Sequence, residues 1–423
     1  MIDAPKKNLV KQKPIQALKK QLLLNLGTPI QIDPKITTAA GIDMRALLVT
    51  ELGSYYQGSR DLLKKILDID PLYAPKAVNY YSLLTDKLII STVENVINLI
   101  HPISNPTNSE KICVLAVGGF GREQMAPFSD IDLLFITPYK QTAWGESVIE
   151  SILYILWDLK LKIGYSVRTI DDCIRLAKQD FTIRTSLLEH RYLVGYQPLQ
   201  SLLQKRLWKE LFQKTIGEFI EAKLGERSSR HRRHGGARYM LEPNVKEGKG
   251  GLRDLQTLYW ITKYLYKTSS AQELIKSNVF TETELSIFKN AENFFWSVRC
   301  CLHLISNRSS EKLNFSTQVE LASRFGYEDK KGMRGVERFM QAYFIHAKNV
   351  GDLTRIFLTA LEAKHVRIRP GFGGQIKTIL NFNITKNRNL FPIGLGLTHG
   401  RLNICNKTEF LKTPVNLIKL FQI

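Results

Sequence analysis

Cysteine is scarce in this chain, and what there is does not pair. The five are Cys113, Cys173, Cys300, Cys301 and Cys405. Their number is odd, only Cys300 and Cys301 are close, and adjacent cysteines do not readily bridge each other. No CxxC pair is present to hold zinc. A reducing cytosol is the expected compartment. Also missing is any apolar run near the ~18–20 residues that cross a bilayer. The N-terminus carries lysines around one short cluster, Leu22-Leu23-Leu24, too short for a signal-peptide core. A cytoplasmic protein without a membrane partner is expected. No repeat of roughly 20–50 residues is evident. Glycine and proline are not enriched, and 44% of the residues are hydrophobic, ample for two or three domains with buried cores.

Acid is in deficit. Against 60 Lys+Arg stand 39 Asp+Glu, a formal charge of +21. Such an excess suits a polyanionic ligand, whether a nucleotide, an RNA or a phosphorylated partner. It equally suits a lysine-rich solvated surface.

Residues 1–38 are punctuated by lysine and proline, and a poorly ordered N-terminus is expected there. Residues 39–105 read as helical, with one stripe at Leu47, Leu48, Leu52 and Tyr55 and another at Leu88, Val93, Val96, Ile97 and Ile100. Turn chemistry from Pro102 to Glu110 marks a boundary. The texture then changes. Ile112–Val117 is a short apolar run ending in Gly118-Gly119, a buried strand entering a tight turn. Ile131–Ile136 is a second such run, Trp144–Leu161 has helical spacing, and Ile163–Ile170 reads as a third strand. This order is α/β in character, and residues 106–225 are taken as one domain. Helical patterns follow from Phe181 to about Lys364, with residues 226–368 as a helical domain. Residues 369–423 form a C-terminal segment with strand-like alternation at Ile376, Ile379, Phe382 and Ile384. Its apolar end reads as an element interrupted.

The informative stretch is Val114–Ile136, VLAVGGFGREQMAPFSDIDLLFI. A strand delivers Gly118, Gly119 and Gly121 into a turn, where backbone N–H groups can approach phosphate oxygens with no Cβ in the way. Arg122 adds a cationic donor. Asp130 and Asp132 flank Ile131 at the mouth of the next strand, so by strand alternation their carboxylates face the same way. Two such acids repel, and a divalent cation relieves the conflict; Mg²⁺ favours oxygen ligands of this kind together with substrate phosphates. The plainer reading is a surface hairpin with two solvated acids.

Two glycines, ten residues, then Asp-hydrophobic-Asp resembles the signature of the polymerase-β-like nucleotidyltransferases. The resemblance implies that Asp130 and Asp132 are catalytic and hold Mg²⁺ on a nucleotide triphosphate, with the glycine turn and Ser129 positioning the phosphates. The chemistry implied is in-line attack of an acceptor hydroxyl on the α-phosphorus with loss of pyrophosphate. A third carboxylate is usual in that superfamily. The third strand has none, and Asp158, Asp171, Asp172 and Glu189 stay open for the role.

A second block, LEPNVKEGKGGLRDLQTLYWI from Leu241, follows a basic run at Arg230–His234. Its Pro243, Asn244, Lys246, Glu247, Gly248, Gly250, Gly251, Leu252, Arg253 and Asp254 resemble a motif of the bacterial PII uridylyltransferase/uridylyl-removing family. Among glycines, Lys246, Lys249 and Arg253 suit contact with phosphates; alternatively the block is a helix start, with Asp254 complementing the dipole. GIDMRALLVTEL, ILYILWDLKLKIGYSVRTIDDC, FFWSVRCCLHL and ERFMQAYFIHAKNVGDLTRI are similar to the same family. Glu123-Gln124 is a local departure from it.

The resemblance implies an α+β fold: a small mixed-sheet nucleotidyltransferase domain flanked by N-terminal helices and followed by a mainly helical domain. It implies transfer of UMP from UTP to a tyrosine of the PII signalling protein. The family continues with a His-Asp metal domain and two glutamine-sensing ACT domains. No His-Asp dipeptide occurs here, so a truncated chain without uridylyl-removing hydrolysis or glutamine switching is expected. Two alternatives are an RNA nucleotidyltransferase of the same superfamily, against which the second block argues, and an inactive remnant.

Overall fold

A computed structural model of the chain describes residues 12–28, 30, 43–139, 141–234, 239–267, 275, 280–330, 332–365, 395–398 and 401–404. The N-terminal stretch differs from expectation. Gln12–Gly27 form a helix, α1, because Ile15, Leu18, Leu22 and Leu26 recur at helical spacing; Leu18, Leu22 and Leu26 join the core and Ile15 is buried. Lys19 and Lys20 lie outside that stripe. The rest of 1–38, apart from Thr28 and Ile30, lies outside the described residues.

Two long helices follow, α2 (Met44–Ile69) and α3 (Ala74–Asn95). Asp43 caps α2 by accepting the backbone N–H groups of Arg45 and Ala46. Then comes the sheet: β1 (Cys113–Ala116), a single helical turn α4 (Gly118–Gly121), β2 (Ile131–Thr137), helix α5 (Ala143–Asp158) and β3 (Ile163–Thr169). Helices α6 (Ile170–Gln179) and α7 (Phe181–Leu188) lead to β4 (Arg191–Gly195), and α8 (Gln197–Arg206) follows. The strand order is β3-β2-β1-β4. β1 pairs antiparallel with β2 and with β4, whereas β2 and β3 run parallel, joined through α5. The sheet is therefore mixed, as expected.

Both faces of the central strands β1 and β2 are buried, which explains why they read as continuous apolar runs, while β3 at the sheet edge is partly exposed. Val114 and Ala116 of β1 with Ile131, Leu133 and Phe135 of β2 pack against α2, α3 and α5. Cys113 and Leu115 with Leu134 and Ile136 pack on the other side against α6, α7 and α8. Asp132 shares the second face with Leu134 and Ile136, at the strand end where the apolar cover stops.

The helical part comprises α9 (Ile216–Arg233), α10 (Leu252–Tyr266), α11 (Glu282–Ser306), α12 (Phe315–Arg324) and α13 (Gly335–His365). The boundary expected at 225/226 falls inside α9, so it is not a linker. Nor do the N-terminal helices stand apart: one continuous apolar core runs from Leu22 through the sheet to Val350. A hairpin of β5 (Leu395–Thr398) and β6 (Arg401–Ile404) is described in the C-terminal segment. The alternation at Ile376–Ile384 lies outside the described residues.

Candidate functional site

The turn after β1 is built for glycine. Gly118 has φ +59°, and a Cβ there would meet the Oδ2 of Asp132 at 2.9 Å. Gly164 of β3 pairs with Asp132 in the parallel register, and a Cβ on it would meet Oδ1 at 2.6 Å. The Asp132 carboxylate thus occupies a slot between a glycine of the turn after β1 and a glycine of β3. Asp130 is exposed on the same side, and both aspartates line a cleft of about 1180 Å³ with Gly118, Gly119, Arg122 and Ser129. Burial first, and then the charge of Asp130, raise the Asp132 carboxyl above its ordinary value.

The loop that carries these aspartates is braced from three sides. Arg60 of α2 donates to the carbonyl of Pro127 at 2.7 Å, and the Met125 N–H donates to the carbonyl of Val78 in α3. From α11, the buried Nδ1 of His303 accepts the N–H of Phe128 at 3.3 Å. Arg191 of β4 makes a two-pronged pair with Asp86 of α3, both contacts 2.8 Å, and also reaches the carbonyl of Phe120. Ser129 accepts the N–H of Ala126 through its Oγ, which leaves its hydroxyl proton to donate.

Two residues of the expected phosphate cradle are placed differently. Gly121 is absent from the cleft lining. It is glycine because a Cβ would collide with the backbone carbonyl of Glu189. Lys249 is also outside the lining. Arg122 does line the cleft, but its guanidinium is already paired with Glu189, which also accepts the indole N–H of Trp260. Gly235 and Gly236, which follow the basic run, and Cys405 lie outside the described residues.

The second sequence block meets the first across the cleft. Lys246, Glu247 and Arg253 line the wall together with Arg230 and Arg299. Arg253 is held by Glu247 at 3.1 Å and by Gln256 at 2.8 Å. Burial, followed by the charges of Arg299 and Arg253, lowers the pKa of Lys246. Cations crowded in this way gain from an anion placed among them. Asp254 does not face the cleft. It is completely buried in the first turn of α10, where it accepts from Arg227, Arg230, His231 and the N–H of Gly250. Its role is to anchor the basic end of α9.

Of the four acids left open for a third carboxylate, only Glu189 lines the cleft. Asp158 pairs with Arg45, Asp171 with Arg206, and Asp172 caps α6. Among the described residues no three His, Cys, Asp or Glu side chains are grouped to hold a metal ion. Asp130 and Asp132, the pair that the sequence assigned to a divalent cation, both line the cleft. Sequence reading missed Trp260, Arg299, His303 and Glu311, all of which line the cleft. His303 and Arg299 both meet Glu311, at 3.5 Å and 2.8 Å. FFWSVRCCLHL carried a signal for two of them as an arginine and a histidine four residues apart on one helix face.

No described helix is long and apolar enough to cross a membrane. Residues 218–358 match the family model described as GlnD PII-uridylyltransferase, a span that includes the second block but not the aspartate pair. The chain is 50% identical over 379 residues to a bifunctional uridylyltransferase/uridylyl-removing enzyme of Ruegeria pomeroyi, covering 90% of this chain and 41% of that protein. It is 46% identical over 407 residues to the protein of the same description from Cereibacter sphaeroides, covering 96% and 42%. The chain thus spans about two-fifths of the length of these curated relatives.

Proposed function

We propose, from the chain's kinship with the uridylyltransferase/uridylyl-removing enzymes, that it transfers UMP from UTP to a tyrosine hydroxyl of the PII protein and releases pyrophosphate. The observation that carries this reading is the meeting of two distant sequence blocks in one cleft, an aspartate pair on one wall and cations on the other. The aspartates suit a divalent cation, for which Mg²⁺ is the proposed species, and the cations suit the phosphate oxygens that face away from it.

In this arrangement Asp130 and Asp132 hold the metal, which when bound neutralises charge on the phosphates and the leaving pyrophosphate. Gly118 and Gly119 let the backbone approach the phosphates. Lys246, Arg253 and Arg230 orient the triphosphate so that the bridging oxygen departs opposite the incoming hydroxyl. The acceptor oxygen bonds to the α-phosphorus, the α–β bridge breaks, and the hydroxyl proton passes to solvent in the open cleft. Only the transfer reaction is proposed for this chain.

Incubation with PII, UTP and Mg²⁺, read by intact mass, should show one uridylyl group added per PII subunit and none when Mg²⁺ is chelated. Addition of CMP or AMP to tRNA in a parallel assay, with PII unmodified, would instead favour RNA as the acceptor.

The glycine slot supplies a sharper test. Gly164→Ala places a methyl group against the Asp132 carboxylate and should lower transfer about 10²-fold through misplacement of that group. Gly58→Ala in α2, where a Cβ meets nothing within 4 Å, should leave the rate unchanged. Equal rates for the two variants would show that the slot is not needed.

A further inference from the structure

Beside the catalytic cleft lies a second cavity, of about 250 Å³, between α10 and α11. Arg122, Gln124 and Gln256 line both spaces, so the two adjoin along a shared wall. Their chemistry differs sharply. The cleft is walled by charged side chains, whereas the second cavity is walled by Leu255, Leu258, Phe280, Leu285 and Phe288. Seven polar side chains complete the lining, Arg122, Gln124 and Gln256 among them, and Glu292 of α11 is the acid. A pocket whose apolar walls are combined with placed polar groups is the usual form of a small-molecule site.

A hydrogen-bonded chain joins the two spaces. Gln124 donates to Glu292 through Nε2 at 3.4 Å and accepts from Arg122 Nε at 3.2 Å. Arg122 in turn is paired with Glu189 in the cleft. Gln124 also lies next to the glycine turn, since its N–H donates to the carbonyl of Gly119 at 3.0 Å. The pocket is therefore adjacent to the turn assigned to the phosphates.

We propose that this cavity is the nucleobase subsite, in which Phe288 and the α10 leucines hold the base of the nucleotide while Gln124 and Glu292 read its edge. The inference rests on the proposed transfer reaction and adds where the base sits. Uracil presents one N–H donor flanked by two carbonyl acceptors. A carboxyl group in its neutral form matches two neighbouring positions, accepting the N–H and donating its O–H to a carbonyl. Burial raises the pKa of Glu292 and favours that form, with the Gln124 hydrogen bond, Lys289 and Arg122 acting in the opposite direction. A mismatched base edge would leave Glu292 with Gln124 as its hydrogen-bond partner and its groups toward the base unsatisfied.

The test compares binding of UTP and of inorganic tripolyphosphate, each with Mg²⁺, by titration calorimetry. Phe288→Ala and Glu292→Ala should each weaken UTP roughly 10-fold, in the range of base–aromatic stacking and buried hydrogen bonds. Both should leave tripolyphosphate unchanged, which also reports that the variants fold. Glu292→Gln retains a donor and an acceptor and should keep the affinity for UTP. The proposal is overturned if UTP weakens with Tyr165→Ala in the cleft but not with Phe288→Ala. It is also overturned, with the transfer reading left standing, if the wild-type protein binds UTP no better than tripolyphosphate. If neither ligand binds the wild-type protein, both readings fall.

Discussion

Asp130→Asn or Asp132→Asn should each abolish transfer, lowering turnover by about 10³-fold or more, while the protein stays folded. Asparagine keeps the shape of the side chain and one carbonyl oxygen but removes the negative charge that a divalent cation requires. The fold does not need these charges, because no salt bridge to either aspartate is present among the described residues, while Asp132 is crowded by Asp130 and by two glycine backbones. Burial and then Asp130 raise the pKa of Asp132 in the folded state. A raised carboxyl pKa means that the ionised form opposes folding. That penalty is absent below the unfolded-state pKa and reaches its full size once the pH has risen past the folded value. At neutral pH without divalent metal, Asp132→Asn should therefore melt no lower than the parent protein, and with Mg²⁺ and UTP it should lose the ligand-induced rise in melting temperature. Near-parent turnover in both variants would remove the aspartates from the chemistry.

Asp254→Ala should act in the opposite way, costing about 3–5 kcal/mol of stability. Asp254 is completely buried, and its removal leaves Arg227 and Arg230 without their shared carboxylate and the N–H of Gly250 without an acceptor. Burial alone would raise the Asp254 pKa. The His231 hydrogen bond and the charges of Arg227, His231 and Arg230 outweigh it and hold the carboxyl well below the ordinary range. A depressed carboxyl stabilises the fold above its unfolded-state pKa, and that contribution is lost only as the pH falls through the folded value. The deficit of the variant should therefore be full at neutral pH and narrow only in strong acid. Urea titration would read it as a lower midpoint with an unchanged slope. A loss below about 1 kcal/mol would mean that Glu247, 3.8 Å from Arg230, takes over the pairing.

Three of the four strands were legible: β1 and β2 as apolar runs because both of their faces are buried, and β3, a partly exposed edge strand, without such a run. The fourth, Arg191–Gly195, was hidden. It is short, lies among helices, and begins with an arginine whose partner is 105 residues away in α3. Without that strand the place of Glu189, two residues before it, could not be told from that of three surface acids. The aspartate pair was readable from local alternation alone, whereas the Gly164 side of its slot depends on the β2–β3 register. Asp254 was recognisable as a first-turn acid, but its partners Arg227, Arg230 and His231 come from α9, 23 to 27 residues earlier in the chain. Lysine content misled at α1, where spacing rather than composition decides the helix.

The splints on the aspartate loop set the smallest unit in which this chemistry could survive. Asp86 grips Arg191, the Pro127 carbonyl is tethered to Arg60, and the Met125 amide leans on Val78, all from helices that precede the sheet in the chain. Excising the sheet as a fragment from residue 106 would strip these supports and bare the apolar side of β1 and β2 to water. A self-sufficient piece must reach back at least to Asp43, the cap of α2.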